Sequence, residues 1–237
     1  MDKVSVGYEL DIPYKDIFKT WAKPLAALLE SNYMFNIMHF IHELYQTPVF
    51  PRPRQLEIFE VFQKVSFTSV KVVILIGEPV PGIKGNGIAM ATRESEYIRP
   101  SMITEEVHKC IETTIYEGCR PGFDLTLEPW LAQGVLPLHA ALTTQFAKKG
   151  EHVKLWKEFT RSVINTLNNS APGIIFILLG KEAVKFKPLI NEMNHYVLQY
   201  HTPLQAIKEK KDWNCPCFKV ANDLLIANNG TDAAIVW

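Results

Sequence analysis

Residues 71–77 read KVVILIG, a short run of β-branched and aliphatic side chains that ends at a glycine. A run of this length and composition is typical of a strand that is buried on both faces of a parallel sheet. Residues 78–87, EPVPGIKGNG, follow directly, and their prolines and glycines indicate a loop. The sequence therefore predicts a buried strand that opens into a loop at residue 77.

Further strands and helices are predicted on both sides of this segment. Three more apolar runs predict strands, at residues 134–142, 173–180 and 195–203. Helical spacing of apolar side chains predicts helices at residues 15–46 (one or two helices), 55–65, 103–116, 151–168 and 217–229. Strands that alternate with helices predict an α/β fold with three layers, α/β/α, around a central, mostly parallel four-stranded sheet.

Length and charge limit the class of protein. The 237 residues suit one domain, and 25 basic side chains balance 25 acidic ones. A nucleic-acid-binding protein of zero net charge must gather its positive charge locally. The N-terminus lacks the continuous apolar core of a secretory signal, and no stretch approaches the ~20 apolar residues of a membrane span. We therefore expect a cytoplasmic protein with no membrane partner.

The cysteines predict neither a disulfide framework nor a metal site. Only four are present, Cys110, Cys119, Cys215 and Cys217, and their spacing is uneven. One residue separates Cys215 from Cys217, whereas two separate the paired ligands of a typical zinc or redox site. We therefore expect structural thiols, no metal and no cofactor.

Chemistry is expected at one edge of the sheet. In open α/β sheets, ligands bind beyond the carboxyl ends of the strands. The loops that begin near Gly77, His139, Gly180 and His201 all follow predicted strands. We expect them to meet at this edge.

Six ordered segments resemble the motifs of family 1 uracil-DNA glycosylases. The resemblance covers about residues 48–237, and residues 1–47 would form a helical N-terminal part of the same single domain, 1–237. The matching segments are VFPRPRQLEIF with VKVVIL, EPWLAQGVLPLHAALTT, WKEFTRSVINTLN, IIFILLGKEA, HYVLQYHTPLQA and CFKVANDLL. The resemblance implies a monofunctional DNA glycosylase that flips a nucleotide out of duplex or single-stranded DNA, hydrolyses its N-glycosidic bond and leaves an abasic site.

The water-activating motif of that family, GQDPYHG, is altered here to IGEPVPG at residues 76–82. Aligned without a gap, Glu78 takes the position of the aspartate, Val80 that of the tyrosine and Pro81 that of the histidine. A second register pairs Gly77 and Glu78 with the family's glycine and glutamine. In both registers Glu78 is the only carboxylate of the loop, so it is the predicted catalytic residue. The alternative is a solvated loop glutamate.

His201 matches the histidine that, in the family, donates a hydrogen bond to O2 of the leaving base. A donor there would stabilise the negative charge that develops as the bond breaks. The surrounding loop, HTPLQ, is one residue shorter than the family's HPSPLS. We predict a catalytic role for His201, with a structural histidine as the alternative.

Several residues match the DNA-contacting loops of the family. Leu204 takes the position of the leucine that fills the space vacated by the flipped base, although it could also be a packed loop leucine. Its neighbour Lys208 is expected to bind phosphate, or else to be a solvated surface charge. The remaining matches to phosphate-contacting loops are Arg99, Pro100 and Ser101 in one loop and Gly180 and Lys181 in another.

The predicted base pocket differs from one that reads uracil. Val80 and Pro81 are smaller than the rings they replace, which leaves room at C5 of the base. Met90 takes the place of the aromatic on which uracil stacks, and Gly77 belongs to the same pocket. His139 replaces the asparagine that reads the edge of uracil, and one imidazole nitrogen cannot pair with both N3–H and O4 as an amide can. His139 could instead be a buried histidine with no ligand.

Three functions remain open from the sequence. The leading hypothesis is excision of a C5-enlarged pyrimidine such as hydroxymethylcytosine or its glucosylated form, bases that occur in certain phage genomes. The chain would then resemble anti-phage glycosylases of the superfamily. The others are a divergent enzyme that still excises uracil, and a catalytically silent DNA-binding or replication-accessory protein.

Overall fold

A computed structural model describes residues 14–48, 51–80, 86–92, 101–118, 122–145 and 150–237. Four strands form one parallel sheet in the order β2-β1-β3-β4. The strands are β1 (Val72–Ile76), β2 (Val135–His139), β3 (Ile175–Leu179) and β4 (Tyr196–Tyr200). The α/β fold with helices around a four-stranded parallel sheet, predicted from the sequence, is confirmed.

The described residues also form ten α-helices and several short 3-10 helices. The α-helices are α1 (Tyr14–Phe18), α2 (Ala26–Leu29), α3 (Asn32–Tyr45), α4 (Glu60–Lys64), α5 (Met102–Thr114), α6 (Glu128–Ala132), α7 (Glu151–Asn168), α8 (Gly180–Val184), α9 (Pro203–Glu209) and α10 (Cys217–Asn229). The 3-10 helices are Lys19–Trp21, Gln55–Glu57, Phe67–Ser69, Lys187–Leu189 and Thr231–Ala233. None of the helices in the described ranges is long and apolar enough to cross a membrane.

The sheet is fully apolar where it is most buried. All five side chains of β1 and of β3 are buried, which explains why these strands show continuous apolar runs instead of alternation. A cluster of aromatic rings packs beside the sheet, with the rings of Phe18 and Phe62 centred 5.4 Å apart and those of Trp21 and Phe62 in edge-to-face contact at 5.2 Å. Such ring pairs add to the stabilisation that burial alone gives.

Four predicted elements differ from the observed ones. Residues 15–46, expected as one or two helices, form α1, α2, α3 and a 3-10 helix, and the second strand ends at His139 instead of residue 142. The helix expected over residues 55–65 forms in two pieces, because Phe59 between them leaves the helical conformation with φ −108° and ψ 16°. The fourth strand ends at Tyr200 instead of residue 203. The strand stops there because Thr202 caps a helix, α9, whose first residue is Pro203.

The strand register brings the predicted chemistry to one edge. Ile76 at the end of β1 lies opposite His139 at the end of β2 and Leu179 at the end of β3. Leu179 in turn pairs with Tyr200 at the end of β4. The four strands therefore end level with one another, and the loops that follow them converge.

Candidate active site

A cavity of about 220 Å³ lies at this edge of the sheet. Its walls come from the carboxyl ends of β1, β2 and β3 and from residues that follow β1, β3 and β4, as the strand ends predicted. Three segments outside the sheet, within residues 52–53, 86–91 and 101–103, complete them. The wall residues include Glu78, Val80, Met90, His139 and Leu204, together with Arg52 and Asn86.

Glu78 is held in place through one of its two carboxylate oxygens. Its Oε2 accepts hydrogen bonds from the Gly150 amide at 2.9 Å and from the Thr144 hydroxyl at 3.3 Å. Gly150 is the N-cap of α7, whose amino end favours negative charge. Within the described residues, Oε1 has no protein hydrogen bond. It is therefore the oxygen that can orient a water molecule.

His139 is a neutral imidazole whose tautomer is fixed by its neighbour. Its Nδ1 lies 3.3 Å from the Gly77 carbonyl oxygen, which can only accept a hydrogen bond. Nδ1 must therefore carry the proton. Burial lowers the pKa of His139 to about 4, against the opposing effect of the Gly77 carbonyl. At neutral pH, Nε2 is consequently left as an unprotonated acceptor.

Met90 is held in an uncommon backbone conformation at the cavity wall. Its φ is +68°, in the left-handed region that side chains other than glycine rarely adopt, and the residue is buried. The Thr104 hydroxyl donates to the Met90 carbonyl at 2.6 Å, and the Thr92 hydroxyl donates to Thr104 at 2.9 Å. The Ser101 amide completes this buried chain by donating to Thr92 at 3.0 Å. The chain of hydroxyls fixes the backbone that presents Met90 to the cavity.

His201 lies in the short connection between β4 and α9, whereas Leu204 lies in the first turn of α9. Leu204 is half-buried and lines the cavity of Glu78 and His139. The His201 side chain is exposed and lines a neighbouring cavity of about 380 Å³, and its carbonyl accepts a hydrogen bond from Trp213 Nε1 at 2.9 Å. Glu78 and His201, the two predicted catalytic residues, therefore do not share a cavity in this structure.

Known proteins with similar sequences show the family of this chain. Uracil-DNA glycosylase from Escherichia fergusonii is 32% identical over 208 residues, which are 87% of this chain and 90% of that protein. Uracil-DNA glycosylase from Escherichia coli shows the same identity and coverage. This chain belongs to the uracil-DNA glycosylase family. Its assignment to the DNA N-glycosylases, which hydrolyse N-glycosyl bonds, is thereby confirmed.

Solved structures agree with the fold of this family. The crystal structure of mimivirus uracil-DNA glycosylase matches with a TM-score of 0.76 at 17% identity, over 92% of this chain and 87% of that one. A variant of mimivirus UNG in complex with UGI matches with a TM-score of 0.80, also at 17% identity, over 95% of this chain and 91% of that one. No protein-family model matches the chain.

The other residues assigned by resemblance to the glycosylase family fall in three places. Val80 is half-buried and lines the cavity with Gly77, Gly180 and Lys181. Ser101 also lines it, but its hydroxyl caps α5 by accepting from the Ile103 amide at 3.2 Å. Lys208 is exposed on α9. Three residues lie outside the described ranges: Pro81, Arg99 and Pro100.

Four polar residues of this glycosylase cavity, Arg52, Asn86, Glu182 and Thr202, are not among the site residues predicted from the sequence. Arg52 and Asn86 both line it, although neither follows a strand. A signal for Arg52 was present, because it stands between two prolines where the family has only prolines. Asn86 had none. Across the described ranges, no group of three or more His, Cys, Asp or Glu side chains is placed to hold a metal ion.

Proposed function

We propose that this protein is a monofunctional DNA glycosylase that excises a C5-substituted cytosine, such as hydroxymethylcytosine or its glucosylated form, and leaves an abasic site. The observation that carries the proposal is the tautomer of His139. Because Nδ1–H is engaged by Gly77, the nitrogen left for a ligand is Nε2, a hydrogen-bond acceptor.

An acceptor at this position suits cytosine better than uracil. The exocyclic N4 of cytosine offers a proton to Nε2, whereas O4 of uracil is itself an acceptor and would remain unpaired. A buried polar atom without a partner costs about 1–3 kcal/mol. Uracil N3–H could still donate to Nε2, so this preference is one of degree. His139 alone therefore favours cytosine without excluding uracil.

The wall around C5 supports a substituent on that cytosine. Val80 lines the cavity where, in the ungapped register, the family carries a tyrosine. Valine is smaller than tyrosine, so it removes the steric barrier to groups on C5. Met90, a flexible and polarisable side chain, lines the same cavity and can adapt to bases of different size.

Glu78 supplies the hydrolytic chemistry in this proposal. As the bond between C1′ and N1 lengthens, positive charge develops on the sugar, and the carboxylate stabilises it. Glu78 Oε1 orients a water molecule and accepts its proton as the water oxygen bonds to C1′. The base leaves with the electron pair of the broken bond, and His201 is the proposed donor to its O2.

A role in antiviral defence follows from the proposed substrate. Hydroxymethylated and glucosylated cytosines occur in certain phage genomes, and their excision would turn phage DNA into abasic DNA. The rival function is excision of uracil, which is favoured by the 32% identity with uracil-DNA glycosylases.

One panel of substrates separates these functions. Duplexes carrying uracil, thymine, hydroxymethylcytosine or glucosylated hydroxymethylcytosine are incubated with the protein, and alkali-labile breaks are scored. We expect breaks only at the modified cytosines. Breaks at uracil alone would establish the rival function, and no breaks on any duplex would favour a silent DNA-binding protein.

The Val80→Tyr variant tests the steric part of the proposal. Restoring the ring should abolish excision of the modified cytosines, because the C5 substituent and the tyrosine would occupy the same space. It should not create strong uracil activity, since His139 still lacks an amide. Adding His139→Asn should begin to restore uracil excision, and a double-mutant cycle on both substrates measures the coupling. Full activity of Val80→Tyr on the bulky base would show that C5 does not face residue 80.

A further inference from the structure

The cavity contains a wall that the catalytic chemistry does not use. Arg52 and Asn86 supply its polar groups, and the segments that carry them are in contact. A Cβ atom at Gly87 would overlap the Glu57 carbonyl oxygen, so residues 86–88 pack directly on the segment that follows Arg52. The segments that carry the two side chains are therefore neighbours at the cavity.

The Arg52 backbone is tied to the residue that holds Glu78. Its amide donates to the Thr144 carbonyl at 2.8 Å, and its carbonyl accepts from the Thr144 amide at 2.9 Å. The guanidinium of Arg52 has no hydrogen bond or ion pair to any described residue. Its charge lies near Tyr45, whose pKa is raised by burial and by Glu57 against the opposing effect of Arg52. A half-buried cation with its donors unused thus lines the base cavity.

Asn86 is more than nine-tenths buried, and only its oxygen is used. Oδ1 accepts a hydrogen bond from the Ile88 amide at 3.1 Å, which orients the side-chain amide. The amide nitrogen, Nδ2, donates to no protein group in the described part of the chain. Nδ2 is not among the fully buried, unpaired side-chain atoms of the described residues, so in the free protein it can donate to water, and a ligand oxygen that accepts from it would take the place of that water.

We propose that Arg52 and Asn86 form a donor subsite for the hydroxyl or sugar group on C5 of the excised base. This inference rests on the proposed function and adds how the substituent itself is recognised. Hydroxyl and sugar oxygens accept hydrogen bonds, and the subsite offers the five N–H groups of Arg52 and the two of Asn86. Val80 would admit the substituent by its small size, and the subsite would select substituents that carry oxygen.

Two substitutions remove the donors with little change in shape. Asn86→Asp keeps the oxygen that accepts from Ile88 and replaces the unused nitrogen with an acceptor. Arg52→Met keeps an extended side chain and removes the charge. Arg54→Met is the matched control, since Arg54 is exposed in the same segment and does not line the cavity.

The experiment measures kcat/KM on duplexes carrying hydroxymethylcytosine or its glucosylated form, and the Kd for the same duplex carrying an abasic site. Arg52→Met and Asn86→Asp should each lower kcat/KM roughly 10- to 100-fold, the scale of one buried hydrogen bond. Their Kd for the abasic duplex should be unchanged, because that DNA has no base to recognise. Arg52→Lys should recover part of the loss, and Arg54→Met should match the wild type.

The possible failures point to different parts of the proposal. If the wild type excises modified cytosines and both variants do so at its rate, the subsite is wrong and the proposed function stands. If the variants lose affinity for the abasic duplex, these residues act on the DNA backbone or the fold, which also overturns the subsite. If the wild type excises no modified cytosine, both proposals fail.

Discussion

Two cavities flank the loop that follows β4, and they differ in character. The cavity of Glu78 and His139 is walled mainly by apolar side chains, among them Val80 and Met90. The neighbouring cavity, which contains His201, is lined by charged residues such as Glu209 and Asp212. His201 and Leu204, three residues apart in one matched motif, face different cavities. A motif match thus locates residues along the chain. The length of the loop after β4 and the point at which Thr202 starts α9 decide where each side chain points.

The largest effect is expected at the carboxylate of the apolar cavity. Glu78→Gln keeps the size of the side chain and removes its charge, so excision should slow by at least ~10²-fold while DNA binding persists. Single-turnover rates on a cleavable duplex give the answer. Glu209→Gln, the equivalent change in the charged cavity, should leave the rate within a few-fold of wild type. A Glu78→Gln rate close to that of the wild type would remove Glu78 from catalysis.

His139 should make stability depend on pH. Its folded-state pKa of about 4 lies below the ordinary value of 6.5, so the unfolded chain binds a proton first as the pH falls. The neutral imidazole contributes roughly 3 kcal/mol to the free energy of unfolding. This contribution is fully present above pH 6.5 and is lost as the pH falls to about 4. Urea unfolding of wild type and His139→Asn at several pH values measures this: their difference in unfolding free energy should shrink in that window. A difference that is independent of pH would contradict the buried, neutral imidazole.

His201→Ala should have an intermediate effect. For His201 to donate to the leaving base, its imidazole must leave the charged cavity when DNA binds. We expect a loss of about 10-fold in kcat with little change in KM, because the donor acts only as the bond breaks. Steady-state kinetics on the preferred duplex separate the two constants. An unchanged kcat would mean that His201 belongs to the neighbouring cavity in the complex as well.

The smallest effect is expected at Leu204. Leu204→Ala should slow excision from duplex DNA several-fold more than from single-stranded DNA, since only the duplex has a vacated position to fill. The ratio of the two rates is the quantity to compare with wild type. An equal loss on both substrates would instead indicate that Leu204 matters through its packing in the cavity wall.

The fold was readable from the sequence because its buried strands carry their own signal. Residues 71–77 and 173–180 are apolar throughout, and the observed strands lie inside these ranges. The end of the fourth strand was misjudged, although Thr202 followed by Pro203 is a local signal for the start of a helix. Boundaries depend on such short signals, and these are easily outweighed by a neighbouring apolar run.

The candidate site was only partly readable, for a different reason. Glu78 and His139 follow strands, so the sheet alone predicted their meeting. Arg52 reaches the cavity through an isolated antiparallel bridge to Thr144, 92 residues further along the chain. No short pattern in the sequence predicts a contact between residues so far apart along the chain. The orientation of His201 likewise depends on a shortened loop whose path the sequence does not specify.

Gly180 limits how the substrate range of this protein can be redesigned. Its φ is +83°, and a Cβ atom there would lie 2.5 Å from Cγ2 of Thr202, the cap of the helix that carries Leu204. Any other residue at this position would therefore strain the backbone and crowd the cap of α9, whatever the pocket residues. Substitutions that alter the substrate range are better made at Arg52, Val80 and Asn86, with Gly180 unchanged.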